Sequence, residues 1–190
     1  MSAPAEAASR RVVFSPATVL LPAYIATIFL SAFLLFAVQP MFTKMVTPVL
    51  GGSSAVWSVA MVFFQAMLLG GYAYAHALNR YLSPRNGLIV HAGLMLSAAL
   101  LALPIAFDPT WGRPPADGEA LWLIKVFLVS VGLPFFIVSA NGPLLQSWFA
   151  GSGHAHAGDP YFLYGASNFG AAEYPGSKVA NVLEVETSIV

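Results

Sequence analysis

The chain has 190 residues, of which 58% are hydrophobic and 8% are charged, whereas about 25% of the residues of ordinary soluble domains are charged. Eight basic and eight acidic residues cancel, so the composition lacks the basic surface that nucleic-acid binding requires. The chain contains no cysteine, which excludes disulfides, thiolate metal sites and a cysteine nucleophile.

Four apolar stretches dominate the sequence, each about 21 to 29 residues long. They are Ala17–Val38, Ala55–Leu78, Gly87–Phe107 and Leu121–Phe149. Because a helix rises ~1.5 Å per residue, about 20 residues cross a hydrocarbon core of ~30 Å. We therefore predict an all-α integral membrane bundle with four transmembrane helices in residues 17–150, preceded by a disordered polar segment over residues 1–16.

The first helix is predicted from Pro16 to Gln39. Arg10 and Arg11 raise the alternative of a secretory signal, but the apolar run exceeds the ~7 to 15 residues of a signal core, which favours an uncleaved helix. Pro40 should end this helix, because proline cannot donate a backbone hydrogen bond. The link Pro40–Ser54 is too short to span and too apolar for a solvated loop, so it is predicted to be an interfacial or re-entrant segment.

The second helix has Trp57 near one end and Tyr72, Tyr74 and Tyr81 near the other, as in the aromatic belts of spanning helices. Two small-xxx-small pairs lie along it and predict a helix-packing face that also suits oligomerisation. The pairs are Ala66 with Gly70, and Gly71 with Ala75.

A tight turn at Asn79–Asn86 predicts that the second and third helices are antiparallel. A hydrophilic loop, Asp108–Ala120, precedes the fourth helix, which carries Pro134 and Pro143 and is predicted to be kinked or broken. Four arginines fall on one side of the bundle and three basic residues on the other. Under the positive-inside rule this predicts a cytoplasmic N-terminus. The first set comprises Arg10, Arg11, Arg80 and Arg85. The second comprises Lys44, Arg113 and Lys125.

Residues 151–172 form a loop and a partial fifth helix that begins at Pro160. After Ala172 the apolar pattern stops, and residues 173–190 form an irregular, partly charged tail. The fifth helix is either short and interfacial, or the product is truncated or frameshifted, and the abrupt change of pattern favours the second interpretation.

Catalytic motifs are absent from the sequence, including nucleotide-binding glycine loops and nucleophile elbows. His154, His156 and Asp159 lie together in a Gly/Ala turn, but two imidazoles in a turn without a fixed third ligand are typical of solvated loops. We therefore predict no catalytic residue, no cofactor and no metal site.

Polar residues inside the spans are more informative, because burying them in lipid is costly and they usually face other helices or a cavity. The set comprises Gln39, Gln65, His76, Asn141, Gln146 and Asn168. Gln65, Asn141 and Gln146 are predicted to form an intramembrane polar site. Asn141 is the strongest candidate, since Gly142 and Pro143 interrupt the helix beside it, although an internally satisfied kink explains the same residues.

Three stretches together resemble the membrane portion of bacterial spermidine-synthase-like proteins, in which a multi-helix domain precedes a soluble aminopropyltransferase-like domain. They are Phe33–His76, Ser139–Ala150 and Asp159–Gly170. The resemblance implies a protein tethered to a bacterial inner membrane, whose soluble part binds decarboxylated S-adenosylmethionine and a diamine. The residues of that soluble part have no counterpart in this sequence, so no catalytic residue is carried over.

The expected function is therefore a non-catalytic, multi-pass membrane domain that acts as an anchor or a transport module. Its expected partners are the lipid bilayer and either further copies of itself or a separate soluble synthase-like domain. The alternative is a small oligomeric transporter subunit for a polyamine or another small solute, because four or five helices seldom enclose a solute pathway alone.

Overall fold

The computed structural model describes residues 16–50, 54–115, 117–153, 157–158 and 161–172, and every regular element among them is helical. Four segments are long and apolar enough to cross a membrane: Leu20–Leu50, Ser54–Tyr81, Pro84–Ala102 and Glu119–Ala150. The prediction of an all-α fold with four such helices is confirmed. The predicted N-terminal segment, apart from Pro16, and the tail over residues 173–190 lie outside the described residues.

Helix α1 spans Pro16–Leu50 and continues through Pro22, Pro40 and Pro48. The prediction that it ends at Gln39, with a separate segment after Pro40, is therefore wrong. Phe42, Val46 and Leu50 follow Pro40 at helical spacing, and all three are buried in one core cluster. Their packing holds the second half of α1 helical, while the hydroxyl of Thr43 donates to the carbonyl of Gln39 (2.7 Å) beside the proline.

Helix α2 spans Ser54–Tyr81 and helix α3 spans Pro84–Ala102. Ser83 caps α3 by accepting a hydrogen bond from the backbone N–H of Asn86 (3.4 Å), and Pro84 occupies the first turn, where its missing N–H costs nothing. Because only two residues join α2 to α3, the two helices run in opposite directions, as predicted. Helix α3 packs more extensively against the fourth span than against α2.

The fourth span is broken, as its prolines predict. Helix α4 spans Glu119–Phe127, a π-helical turn follows over Leu128–Gly132, helix α5 spans Leu133–Ser139 and helix α6 spans Asn141–Ala150. Pro134 cannot donate to the carbonyl four residues before it, and the π turn ends at Gly132, two residues before this proline. The second break, at Ala140, lies just before Pro143.

Helix α7 spans Tyr161–Ala172 and lies beside the N-terminal half of α1, with Leu163 buried against Ile28 and Phe149. The prediction of a short fifth helix near Pro160 corresponds to this element. A Cβ at Gly170 would lie 3.0 Å from the carbonyl carbon of Phe29, so glycine is what allows α7 to approach α1 this closely.

The bundle has two ends. Tyr81, the N-terminus of α3 and the C-terminus of α6 share one end, which we call the arginine end because it carries Arg80 and Arg85. The loop residues 103–115 and 117–118 lie at the other end, which we call the loop end. An aromatic core of Phe42, Phe63, Phe64, Phe127 and Phe135 fills the half of the bundle nearer the loop end. Several of its rings meet edge to face at centroid distances of about 5.3 Å.

The outward faces of the spans are apolar. The most exposed large side chains include Leu69, Leu100, Leu101 and Val129, which are between 68% and 80% exposed. A contiguous apolar exterior of this kind suits contact with lipid chains rather than with water.

Candidate functional site

The three residues of the predicted polar site lie in different environments. Gln65 is exposed on α2, Gln146 is half-buried on α6, and Asn141 is buried at the break between α5 and α6. Of these three, Asn141 is the residue that hydrogen bonds to other described side chains. The structure therefore places Asn141 in a polar cluster without bringing Gln65 to it.

Asn141 links three helices through a chain of hydrogen bonds, which we call the relay. The side-chain amide Nδ2 of Asn141 donates to the hydroxyl of Ser31 on α1 (2.8 Å). Its Oδ1 lies 2.7 Å from Nε2 of His91 on α3. The hydroxyl of Ser31 donates in turn to the backbone carbonyl of Thr27 (2.7 Å). All three side chains are buried, with exposed fractions of 5% to 6%.

The relay determines the tautomer of His91. The hydroxyl hydrogen of Ser31 is committed to the Thr27 carbonyl, so Ser31 Oγ accepts from the Asn141 nitrogen. The Asn141 oxygen must then face His91, and an amide oxygen only accepts hydrogen bonds. Nε2 of His91 therefore carries a proton and donates it to the Asn141 oxygen.

Two buried polar atoms at this cluster have no hydrogen-bond partner among the described residues: Nδ1 of His91 and the hydroxyl of Tyr74 on α2. The two rings lie 5.8 Å apart, centroid to centroid. Phe136 packs against Tyr74 (5.6 Å), and Trp148 meets His91 edge-on (6.3 Å). Since most buried polar groups in proteins are paired, these two unpaired atoms on neighbouring rings distinguish this cluster from the rest of the described spans.

An open cleft of about 530 Å³ lies at the arginine end, directly beyond the relay. Its lining includes Thr27, Leu88 and Leu145, each of which is one helical turn from a relay residue on the same helix. Trp148 lines the cleft and also contacts the His91 ring. Helices α1, α3 and α6 therefore all contribute to the cleft, but Ser31, His91 and Asn141 do not line it.

Most of the small residues of α2 pack against the fourth span of the same chain. A Cβ on Gly71 would lie 2.8 Å from the carbonyl oxygen of Phe136, and Ala75 is fully buried against Ala140 and Leu144. Gly70 faces the ring of Phe136, whereas Ala66 is exposed. The face made by Gly71 and Ala75 is therefore occupied by the broken fourth span and is closed to a second copy.

Sequence reasoning missed three members of the cluster. Of the three, His91 could have been recognised from the sequence, because placing a histidine within an otherwise apolar span costs free energy unless it has a hydrogen-bond partner. Tyr74 was assigned to an interfacial belt, but its hydroxyl is buried and its ring lies 5.8 Å from the ring of His91. Ser31 carries no comparable signal, since serines in membrane helices commonly bond to their own backbone.

The remaining predicted polar residues lie apart from this cluster. Gln39 is half-buried on α1, and His76 and Asn168 are exposed on α2 and α7. His154, His156 and Asp159 lie outside the described residues. Within the described ranges, no group of three histidine, aspartate or glutamate side chains is placed to hold a metal ion.

Outside the spans, Asp108 organises the loop end. Its carboxylate accepts the backbone N–H of Thr110 (2.8 Å) and starts the single 3₁₀ turn Pro109–Trp111. This hydrogen bond lowers the pKa of the Asp108 carboxyl, because it favours the charged form.

Comparison with known proteins identifies no relative. No family model, no curated protein and no solved structure matches the chain significantly.

Proposed function

We propose that this chain is a non-catalytic, multi-pass membrane domain that anchors a protein of the spermidine-synthase-like type in a bacterial inner membrane. The observation that carries the proposal is the set of four spans with apolar outward faces, which suits residence in a bilayer. Its resemblance to the membrane portion of such proteins, over Phe33–His76 and two later stretches, suggests what it anchors. In this proposal a separate soluble synthase-like domain performs any aminopropyl transfer.

The anchor function is tested by fractionation and by activity. The expressed chain should stay in the membrane pellet after alkaline carbonate washing and should enter solution only with detergent. The purified chain, given putrescine and decarboxylated S-adenosylmethionine, should form no spermidine. Release by carbonate would contradict membrane integration, and spermidine formation above a no-protein blank would contradict the non-catalytic assignment.

A second candidate function, a transport module for a polyamine or another small solute, is favoured by a different observation. The relay of Ser31, Asn141 and His91 joins three helices inside the bundle, next to two unpaired polar atoms. Buried polar groups within membrane spans commonly line solute pathways. If several copies assemble, they must use a surface other than the Gly71 and Ala75 face, which the chain itself covers.

Flux in proteoliposomes tests this candidate. Radiolabelled spermidine and, separately, small uncharged solutes are loaded inside, and their release is followed over time. Asn141→Leu should abolish release, whereas Gln65→Leu, which removes an exposed amide on α2, should leave it unchanged. Equal release from both variants, or from protein-free vesicles, would rule out a pathway through the relay.

A further inference from the structure

The cleft at the arginine end lies between the first, third and fourth spans, where these spans end. Its rim includes Arg85, in the first turn of α3, and Ser152, two residues beyond the end of α6. Its wall continues along α3 to Leu88 and along α6 to Leu145. Leu145 is five residues before the last residue of α6, so at ~1.5 Å per residue the wall reaches about 7 to 8 Å into the span.

The permanent charges described at the arginine end are both positive. Arg80 lies over the ring of Tyr81 (5.9 Å to the centroid), whereas Arg85 lines the cleft. The described carboxylates all lie at the loop end, so none of them neutralises either arginine. They are Asp108, Asp117 and Glu119. The charge that complements the rim of the cleft is therefore an anion.

The lining below Arg85 is largely apolar. Ala23, Leu88 and Leu145 contribute aliphatic groups, and Tyr24 and Trp148 contribute aromatic rings that each carry a hydrogen-bond donor. Tyrosine and tryptophan are typical of the headgroup level of a bilayer, where one part of the ring contacts lipid chains and the other is hydrated. The cleft therefore combines a cationic rim with an apolar wall that faces the hydrocarbon.

We propose that the cleft binds one anionic phospholipid, with its phosphate at Arg85 and the upper part of an acyl chain along Leu88 and Leu145. A guanidinium group pairs well with a phosphate, and basic pockets between membrane helices bind anionic lipid headgroups. A free anion has no acyl chain for the apolar wall, and the cationic group of a zwitterionic lipid is repelled by the two arginines. This assignment rests on the membrane residence of the proposed anchor and adds a class of lipid to it.

The test is native mass spectrometry of the full chain in a neutral detergent, with phosphatidylglycerol as the probe. Titration should show one phosphatidylglycerol molecule that binds more tightly than phosphatidylcholine with the same acyl chains. Glycerol 3-phosphate, which carries the phosphate without acyl chains, should not displace it.

Matched variants separate binding in the cleft from a general attraction to anionic lipid. Arg85→Gln should weaken the affinity for phosphatidylglycerol about fivefold, the effect of one basic residue near an anionic headgroup. Arg80→Gln removes the same charge from the same end without touching the cleft, and should weaken the affinity less than about twofold. Ala23→Phe fills the cleft without a change of charge and should also weaken binding, whereas Ala73→Phe, at an exposed position of α2 outside the cleft, should not.

Three results would overturn the assignment. They are equal affinities for the two lipids, equal losses in the Arg85 and Arg80 variants, and displacement of the lipid by glycerol 3-phosphate. Unchanged binding in the Ala23 variant would place the lipid outside the cleft and has the same consequence. The carbonate wash fails independently of this test. A chain that stays in the pellet without preferring phosphatidylglycerol keeps the anchor function and loses the site, whereas a chain that carbonate releases but that still binds this lipid loses the anchor function alone.

Discussion

Asn141 holds together parts of the chain that are far apart in sequence. Its amide is 110 residues from Ser31 and 50 residues from His91, and it contacts both side chains at hydrogen-bonding distance. It begins helix α6, directly after the break at Ala140. From this position the amide hydrogen bonds to side chains of two other helices, α1 and α3.

Replacing Asn141 by leucine should destabilise the bundle by about 1 to 2 kcal/mol, because Nε2 of His91 loses its acceptor in a buried place. The measurement is the free energy of reversible unfolding in mixed micelles. Gln65→Leu is the matched control, since it removes an exposed amide that lacks a described partner, and it should change that free energy by less than about 0.5 kcal/mol. Equal losses in the two variants would contradict a structural role for the relay.

Gly71 marks the closest approach between α2 and α5. A methyl group there would meet the Ser139 side chain and the Phe136 carbonyl oxygen at 2.8 Å. Gly71→Ala should therefore lower the thermal midpoint of unfolding, with a cost of about 1 to 3 kcal/mol for overpacking. Gly93→Ala, on α3 with no atom within 4 Å of the new carbon, should be neutral or stabilising.

At the scale of elements, the prolines act differently in different helices. Helix α1 continues through Pro40 and Pro48, because the buried packing of Phe42, Val46 and Leu50 stabilises a continuous helix. In the fourth span, Pro134 follows a π turn and Pro143 follows a break. Proline removes the same hydrogen bond in each case, and the packing around it decides whether the helix continues.

Helix α7 depends on close contact with α1 at Gly170. Gly170→Ala would place a methyl group 3.2 Å from the Phe29 Cα, so α7 should move away from α1 and exchange its amide hydrogens faster. Hydrogen–deuterium exchange over residues 161–172 measures this. Gly165→Ala on the same helix has no atom within 4 Å and should leave the exchange unchanged or slow it. Unchanged exchange in the Gly170 variant would refute the close-contact model.

The turn at Asp108 should depend on pH. Because the pKa of this carboxyl is lower in the folded chain than in the unfolded one, its contribution to stability is present above the usual carboxyl pKa and disappears as the pH falls through the folded pKa. We expect the Thr110 amide to lose protection from exchange over that acidic window. Asp108→Asn keeps an acceptor oxygen but cannot titrate, so its Thr110 protection should not vary there.

At the scale of the whole molecule, the two ends of the bundle carry different polar features. The arginine end carries Arg80, Arg85 and the open cleft, while the loop end carries the Asp108 turn and the exposed Lys125. We propose that the arginine end faces the cytoplasm, because the sequence has four arginines on that side against Lys44, Arg113 and Lys125 on the other, and the positive-inside rule favours the side with more basic residues.

Single cysteines can test this orientation, because the chain contains none of its own. Asn79→Cys reports on the arginine end and Ala106→Cys on the loop end, and both positions are exposed. In intact bacteria a membrane-impermeant maleimide should label Ala106→Cys, and it should label Asn79→Cys only after lysis. The reverse pattern would show the opposite orientation.

The sequence by itself determined the number of spans, the approximate bounds of the last three and the interruption of the fourth, because hydrocarbon thickness and proline chemistry act locally. It also pointed to Asn141, through the proline beside it. Only the tertiary structure decided that α1 continues past Pro40, that Gln65 stays outside the cluster and that His91, Tyr74 and Ser31 belong to it. Each of these outcomes depends on which faces of distant helices meet, and the local pattern of a span carries little information about its partners.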